Sequence, residues 1–162
     1  MVQGRSRRNA DFNSLMGREM RSAIETSKFD RVTELVRCGY DLSRGSRGQP
    51  FADDLLFALQ MASPAMLAHL LDLSGDANVN VPLMDFEVTL FEYACFMCRE
   101  SISSPTKEHL LELVRSGADV TYQSAYFKNL EKDLQECLLD LQEAVREHKK
   151  IDEEISANRR LS

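Results

Sequence analysis

Residues 110–121 read L-L-E-L-V-R-S-G-A-D-V-T, and this stretch decides how the rest of the chain is read. Leu110, Leu113 and Val114 follow i, i+3, i+4 spacing, so they share one face of a helix. Gly117 then supplies the residue that a sharply ending helix needs, because its C′ position adopts a left-handed backbone that a Cβ disfavours. Beyond it, Ala118 and Val120 alternate with Asp119 in a short extended tail.

The same ending recurs upstream. From Ala23 the chain reads A-I-E-T-S-K-F-D-R-V-T-E-L-V-R-C-G-Y-D-L-S, in which Val32, Leu35 and Val36 form the apolar face and Gly39 the stop. Leu15, Met16, Met20, Ala23 and Ile24 lie on the stripe of a preceding helix, and Ser27 with Asp30 reads as a capping box opening the next. A second copy runs from Leu55, Leu56, Leu59 and Ala62 through Ser63 and Pro64, an N-cap and N1 pair, to Leu67, Leu70 and Leu71. Ser74 stands there where Gly39 stood, and Val79 and Asn80 follow a small expansion. A third copy opens with T-L-F-E-Y-A at 89–94 and restarts at Ser104 and Pro105. The small residues Ala23, Ala58 and Ala94 recur at intervals of about 35 residues.

These strings resemble the ankyrin-repeat family, whose second helix closes L-L-x-x-G-A-D-V-N and whose first helix opens T-P-L-H-x-A. The resemblance covers about residues 15–121 and implies an all-α fold, an ankyrin-type solenoid of stacked helix-turn-helix repeats. Glu92 replaces the family's histidine and Leu90 its proline, which marks the array as divergent. Where the family places a hairpin, residues 44–50 are rich in Gly, Ser and Arg. Family membership would make the protein a non-enzymatic adaptor, inhibitor or effector that binds a protein partner through its concave face and hairpin tips, without a cofactor. On that mapping the tip residues are Asp85, Phe86 and Val88, and the exposed helix positions are Phe96 and Met97. One repeat earlier the equivalents are Gln49, Pro50, Ala52, Gln60 and Met61. The competing reading folds Phe96 and Met97 under residues 100–104 as a satellite core.

From Tyr126 to Ile155 the chain has neither Gly nor Pro, and Phe127, Leu130, Leu134, Leu138, Leu141 and Val145 keep helical spacing, so one long helix is expected. Its first half would cover the open end of the stack; its charged end, including Lys149, Lys150, Asp152 and Glu153, would fray into solvent. The expected organisation is a disordered basic tail over 1–13 carrying Arg5, Arg7 and Arg8, repeats over 14–122 and a C-terminal capping helix over 123–162. Leu130, Leu134, Cys137, Leu141, Ala144, His148 and Ile151 also read as a 3-4 seam, so the alternative is a structural homo-oligomer, a homodimer through this helix.

Other chemistries find little support. With 20 basic against 26 acidic residues and a formal charge of −6, the 162-residue chain has no overall basic field for nucleic acid. No apolar run approaches the roughly 20 residues of a membrane helix, so no membrane partner is expected. Cys95 and Cys98 form a C-x-x-C pair near His109, the basis of a weaker metal or redox alternative, but the further ligands of a zinc site are missing. The histidines His69, His109 and His148 fall in separate helical segments, away from any catalytic signature. Reduced Cys38, Cys95, Cys98 and Cys137 fit a cytoplasmic protein, with nuclear placement and non-classical export remaining compatible.

Overall fold

The computed structural model describes residues 3–42, 53–75, 79–80, 88–100, 105–121 and 123–161. The described residues form an all-helical molecule of eight helices with no strand. In chain order these are α1 (Gln3–Glu25), α2 (Phe29–Arg37), α3 (Asp53–Met61), α4 (Pro64–Ser74), α5 (Leu90–Glu100), α6 (Lys107–Arg115), α7 (Ala125–Lys128) and α8 (Lys132–Leu161). The Gly-, Ser- and Arg-rich turn or open loop expected at 44–50 lies outside the described residues.

Helices pair in order: α1 packs on α2, α3 on α4 and α5 on α6. Neighbouring pairs touch through α1 with α3, α2 with α4 and α4 with α6, while α7 packs on α5 and α8 on α6. The interior is continuous, running from Met20 and Ile24 through Leu59, Leu67 and Leu70 to Phe91, Leu110 and Leu138. Ala23, Ala58 and Ala94 are all buried, which explains why each is small: adjoining helices close over them.

The helix ends account for the repeated strings. After α2, Gly39 at φ 111° lets its N–H reach Val36 O and the Tyr40 N–H reach Leu35 O. After α6, Gly117 at φ 95° places its own N–H on Val114 O and that of Ala118 on Leu113 O, the same paired closure. At the end of α4 the left-handed residue is Gly75, φ 74°, not Ser74, because α4 runs one residue further. Ser27 does not cap α2. It takes the left-handed position after α1, at φ 55°, with the Lys28 N–H bonded to Ala23 O; Lys28 precedes α2 without a side-chain cap. Ser63 caps α4 as expected, accepting the Met66 N–H at 3.3 Å, with Pro64 at N1. At α6 the cap is Thr106 rather than Ser104, which lies outside the described residues.

Two asparagines clamp the tails. Asn13, fully buried, donates to Asp41 O at 2.7 Å and accepts the Asp41 N–H at 2.8 Å. Asn80 donates to Gly117 O at 2.9 Å and accepts the Asp119 N–H at 2.7 Å. A side-chain amide thus replaces the ladder partner that these extended backbone segments lack.

At the N-terminus α1 begins at Gln3, so helix takes in most of the segment expected to be a disordered tail; after Gly4 no residue there breaks helical geometry. At the C-terminus one expected helix is two, interrupted at residues 129–131. Asn129 ends α7, and Gln135 donates to Leu130 O at 2.6 Å and to Lys128 O at 3.1 Å, satisfying carbonyls that the break frees. Phe127, Leu130, Leu134 and Leu138 are buried, with Phe127 at 6.4 Å from the Phe91 ring. From Arg146 to Leu161 every α8 residue is exposed.

Candidate interaction face

Phe57, Gln60 and Met61 on α3 repeat, at the same i, i+3, i+4 spacing, as Tyr93, Phe96 and Met97 on α5. A chain of side-chain contacts links this face across the first helices. The Arg21 guanidinium of α1 lies 5.2 Å from the centroid of the Phe57 ring. Gln60 donates from Nε2 to Tyr93 Oη at 3.1 Å, across 33 residues of sequence. Phe96 meets Tyr126, at the start of α7, edge to face with centroids 5.5 Å apart. Met61, Phe96 and Tyr126 are 52%, 41% and 40% exposed, and Gln60, Phe57, Tyr93 and Met97 are half-buried.

Of the residues expected from sequence, the structure brings Gln60, Met61, Phe96 and Met97 onto this face. Val88, just before α5, is half-buried and packs against the core, as Phe57 and Tyr93 do. Asp85 and Phe86, with Gln49, Pro50 and Ala52, lie outside the described residues. Phe57, Tyr93 and Tyr126 were not singled out from sequence. The signal for Phe57 and Tyr93 was there, since each stands one helical turn before an expected residue. Tyr126 comes from a different helix, and only packing places it beside Phe96.

The first turn beneath the face is held by a reciprocal cap. The Thr89 N–H donates to Glu92 Oε2 at 3.2 Å and the Glu92 N–H donates to Thr89 Oγ1 at 3.3 Å. Glu92 is therefore occupied as a capping carboxylate. His109 does the corresponding work for α6: the Thr106 N–H donates to its Nδ1 at 3.0 Å. Its Nε2 lies 2.8 Å from Ala62 O, and since a carbonyl only accepts, Nε2 carries the proton. A single buried imidazole thereby ties the start of α6 to the end of α3.

The remaining chemistry-bearing groups are scattered. Cys95 is fully buried, and burial pushes its thiol well above the ordinary range; Cys98 is half-buried and shifted up for the same first reason. Among the described residues, no group of three or more His, Cys, Asp or Glu side chains is placed to hold a metal ion. His69 bonds Thr33 Oγ1 at 2.8 Å and meets the Phe29 ring edge-on, linking α2 to α4, while exposed His148 lies 3.6 Å from Asp152. On another side, α4, α6 and α8 border an open cleft of about 840 Å³ lined by Leu71, Asp72, Arg115, Val145, His148 and Lys149 among others. No helix among the described residues is long and apolar enough to cross a membrane.

No family model matches the chain, and neither the curated proteins nor the solved structures yield a match to it.

Proposed function

We propose that this chain is a non-catalytic protein-binding module of divergent ankyrin type, acting as an adaptor, inhibitor or effector, and that its first-helix face receives the partner. The single observation that carries the reading is the line of contacts from Arg21 and Phe57 through Gln60 and Tyr93 to Phe96 and Tyr126, with Met61, Phe96 and Tyr126 exposed along it. Aromatic and methionine groups desolvate readily and concentrate binding energy in such positions. The ankyrin assignment draws support from the paired helices, the paired closures at Gly39 and Gly117, and the 33-residue reach of Gln60 to Tyr93. A binding role, rather than catalysis, suits a face of aromatic, thioether and amide groups, which exchange no protons near neutral pH. Four free cysteines suit a reducing, cytoplasmic setting.

The test is crosslinked affinity capture with the parent chain and with Met61→Glu and Phe96→Glu. Proteins captured by the parent and lost by both variants, at unchanged circular dichroism, support the face. Equal capture by parent and variants rejects it.

A further inference from the structure

Granted that a partner binds the first-helix face, the chemistry of that face constrains which segment fills it. Gln60, Met61, Tyr93, Phe96, Met97 and Tyr126 carry no charge, and the adjacent Glu92 carboxylate accepts the Thr89 N–H. A charged segment pressed against such a face would lose its water and gain no counter-charge. In the middle of the line stand two polar groups, the Gln60 amide and the Tyr93 phenol, 3.1 Å apart. Gln60 gives one amide hydrogen to that contact; its second hydrogen and its Oε1 have no partner among the described residues. Once water leaves, these groups need a partner from the incoming chain.

The spacing of the line is the second constraint. It passes from α3 to α5 at the Gln60–Tyr93 bond, moves one turn along α5 to Phe96, and passes to α7 at Tyr126. Helix axes in contact lie about 8–10 Å apart, so each passage is a stride of that order. The line ends in a notch, because the exposed Phe96 and Tyr126 rings stand at 74° to each other.

We propose that this face takes an uncharged, proline-rich segment in the polyproline II conformation. Such a helix advances about 9 Å per turn of about three residues, so every third side chain meets the next helix of the face. Its backbone makes no internal hydrogen bonds, which leaves carbonyls to accept from Gln60, and a pyrrolidine ring fits the notch between two angled aromatic rings. An α-helix matches the stride with about every seventh residue, but its carbonyls are spent on its own N–H groups and its apolar stripe would leave the Gln60 amide dry. An added strand needs an open sheet edge, and the described residues hold no strand.

Three capped, uncharged peptides test this against the full chain carrying methyl-labelled methionine: Pro-Pro-Leu repeats, Gly-Gly-Leu repeats that keep the leucines but not the stiff helix, and an Ala-Gln-Leu helical peptide. By nuclear magnetic resonance, the Pro-Pro-Leu peptide shifts the Met61 and Met97 methyl signals saturably, with an affinity that does not change with salt. The other two leave those signals in place. Phe96→Glu weakens the binding by about tenfold or more and Gln60→Leu by about fivefold, with circular dichroism melts like that of the parent. The proposal is overturned if the helical or the Gly-Gly-Leu peptide binds as well as the Pro-Pro-Leu one, if salt weakens the binding, or if Gln60→Leu and Phe96→Glu bind as the parent does. It is also overturned if no peptide shifts either methyl signal. In that last case crosslinked capture separates the two readings: proteins still lost by Met61→Glu and Phe96→Glu leave the binding face standing with a different occupant, and equal capture rejects the face as well.

Discussion

Ser27 and Gly117 do the same conformational work with different side chains, and the difference is measurable. Ser27 holds φ 55°, which costs an L-residue about 1 kcal/mol. Ser27→Gly should therefore raise stability by roughly 0.5–1 kcal/mol, read as a higher denaturant midpoint. Gly117→Ala should lower it by about 1 kcal/mol; a Cβ there would meet nothing within 4 Å, so the loss is conformational strain alone. His109 carries more, because His109→Leu strands the buried Ala62 carbonyl and removes the acceptor of the Thr106 N–H at the start of α6. A loss of about 2 kcal/mol or more is expected in chemical denaturation. The thiols separate by burial: alkylation at neutral pH should label exposed Cys38 and Cys137 first, Cys98 slowly, and Cys95 only on unfolding. Mass spectrometry of the labelled chain reads the order.

Among the elements, α8 is divided by what its side chains touch. Its first half buries Leu134 and Leu138, each of which contributes on the order of 2 kcal/mol, and bonds the third tail through Gln142. Its second half, from Arg146, is exposed at every described residue, with Arg146 in contact with Asp119. A chain ending after Lys150 should accordingly melt within a few degrees of the full chain, while one ending after Glu131 exposes the α6 face and should unfold or aggregate. Thermal circular dichroism on the two truncations distinguishes them.

For the whole molecule, three helical pairs and a covering helix share one interior, so no pair is closed by itself. The α3–α4 pair has a neighbour on both sides. Leu67→Ala, at a position with no exposure, should cost about 2–5 kcal/mol and lower a single cooperative transition rather than create a second one. Near-ultraviolet and far-ultraviolet melts of this variant should coincide. Separate transitions would mean that the pairs fold independently.

The periodicity around Gly39 and Gly117, the buried alanines and the Ser63–Pro64 start were legible from sequence, because helical spacing and the left-handed stop are local properties of the backbone. So was half of the face: Gln60, Met61, Phe96 and Met97 follow from their register to Ala58 and Ala94. Three things were decided elsewhere. Whether Ser27 caps one helix or closes another depended on which neighbouring carbonyls its strand of backbone could reach. The break at residues 129–131 depended on Phe127 and Leu134 packing against two different helices, which a straight rod cannot do. Val88 packs toward the core and Tyr126 stands beside Phe96 because burial is a property of what lies across a gap and not of neighbours in the chain. Local geometry reads out of a sequence directly, whereas exposure exists only once the helices have met.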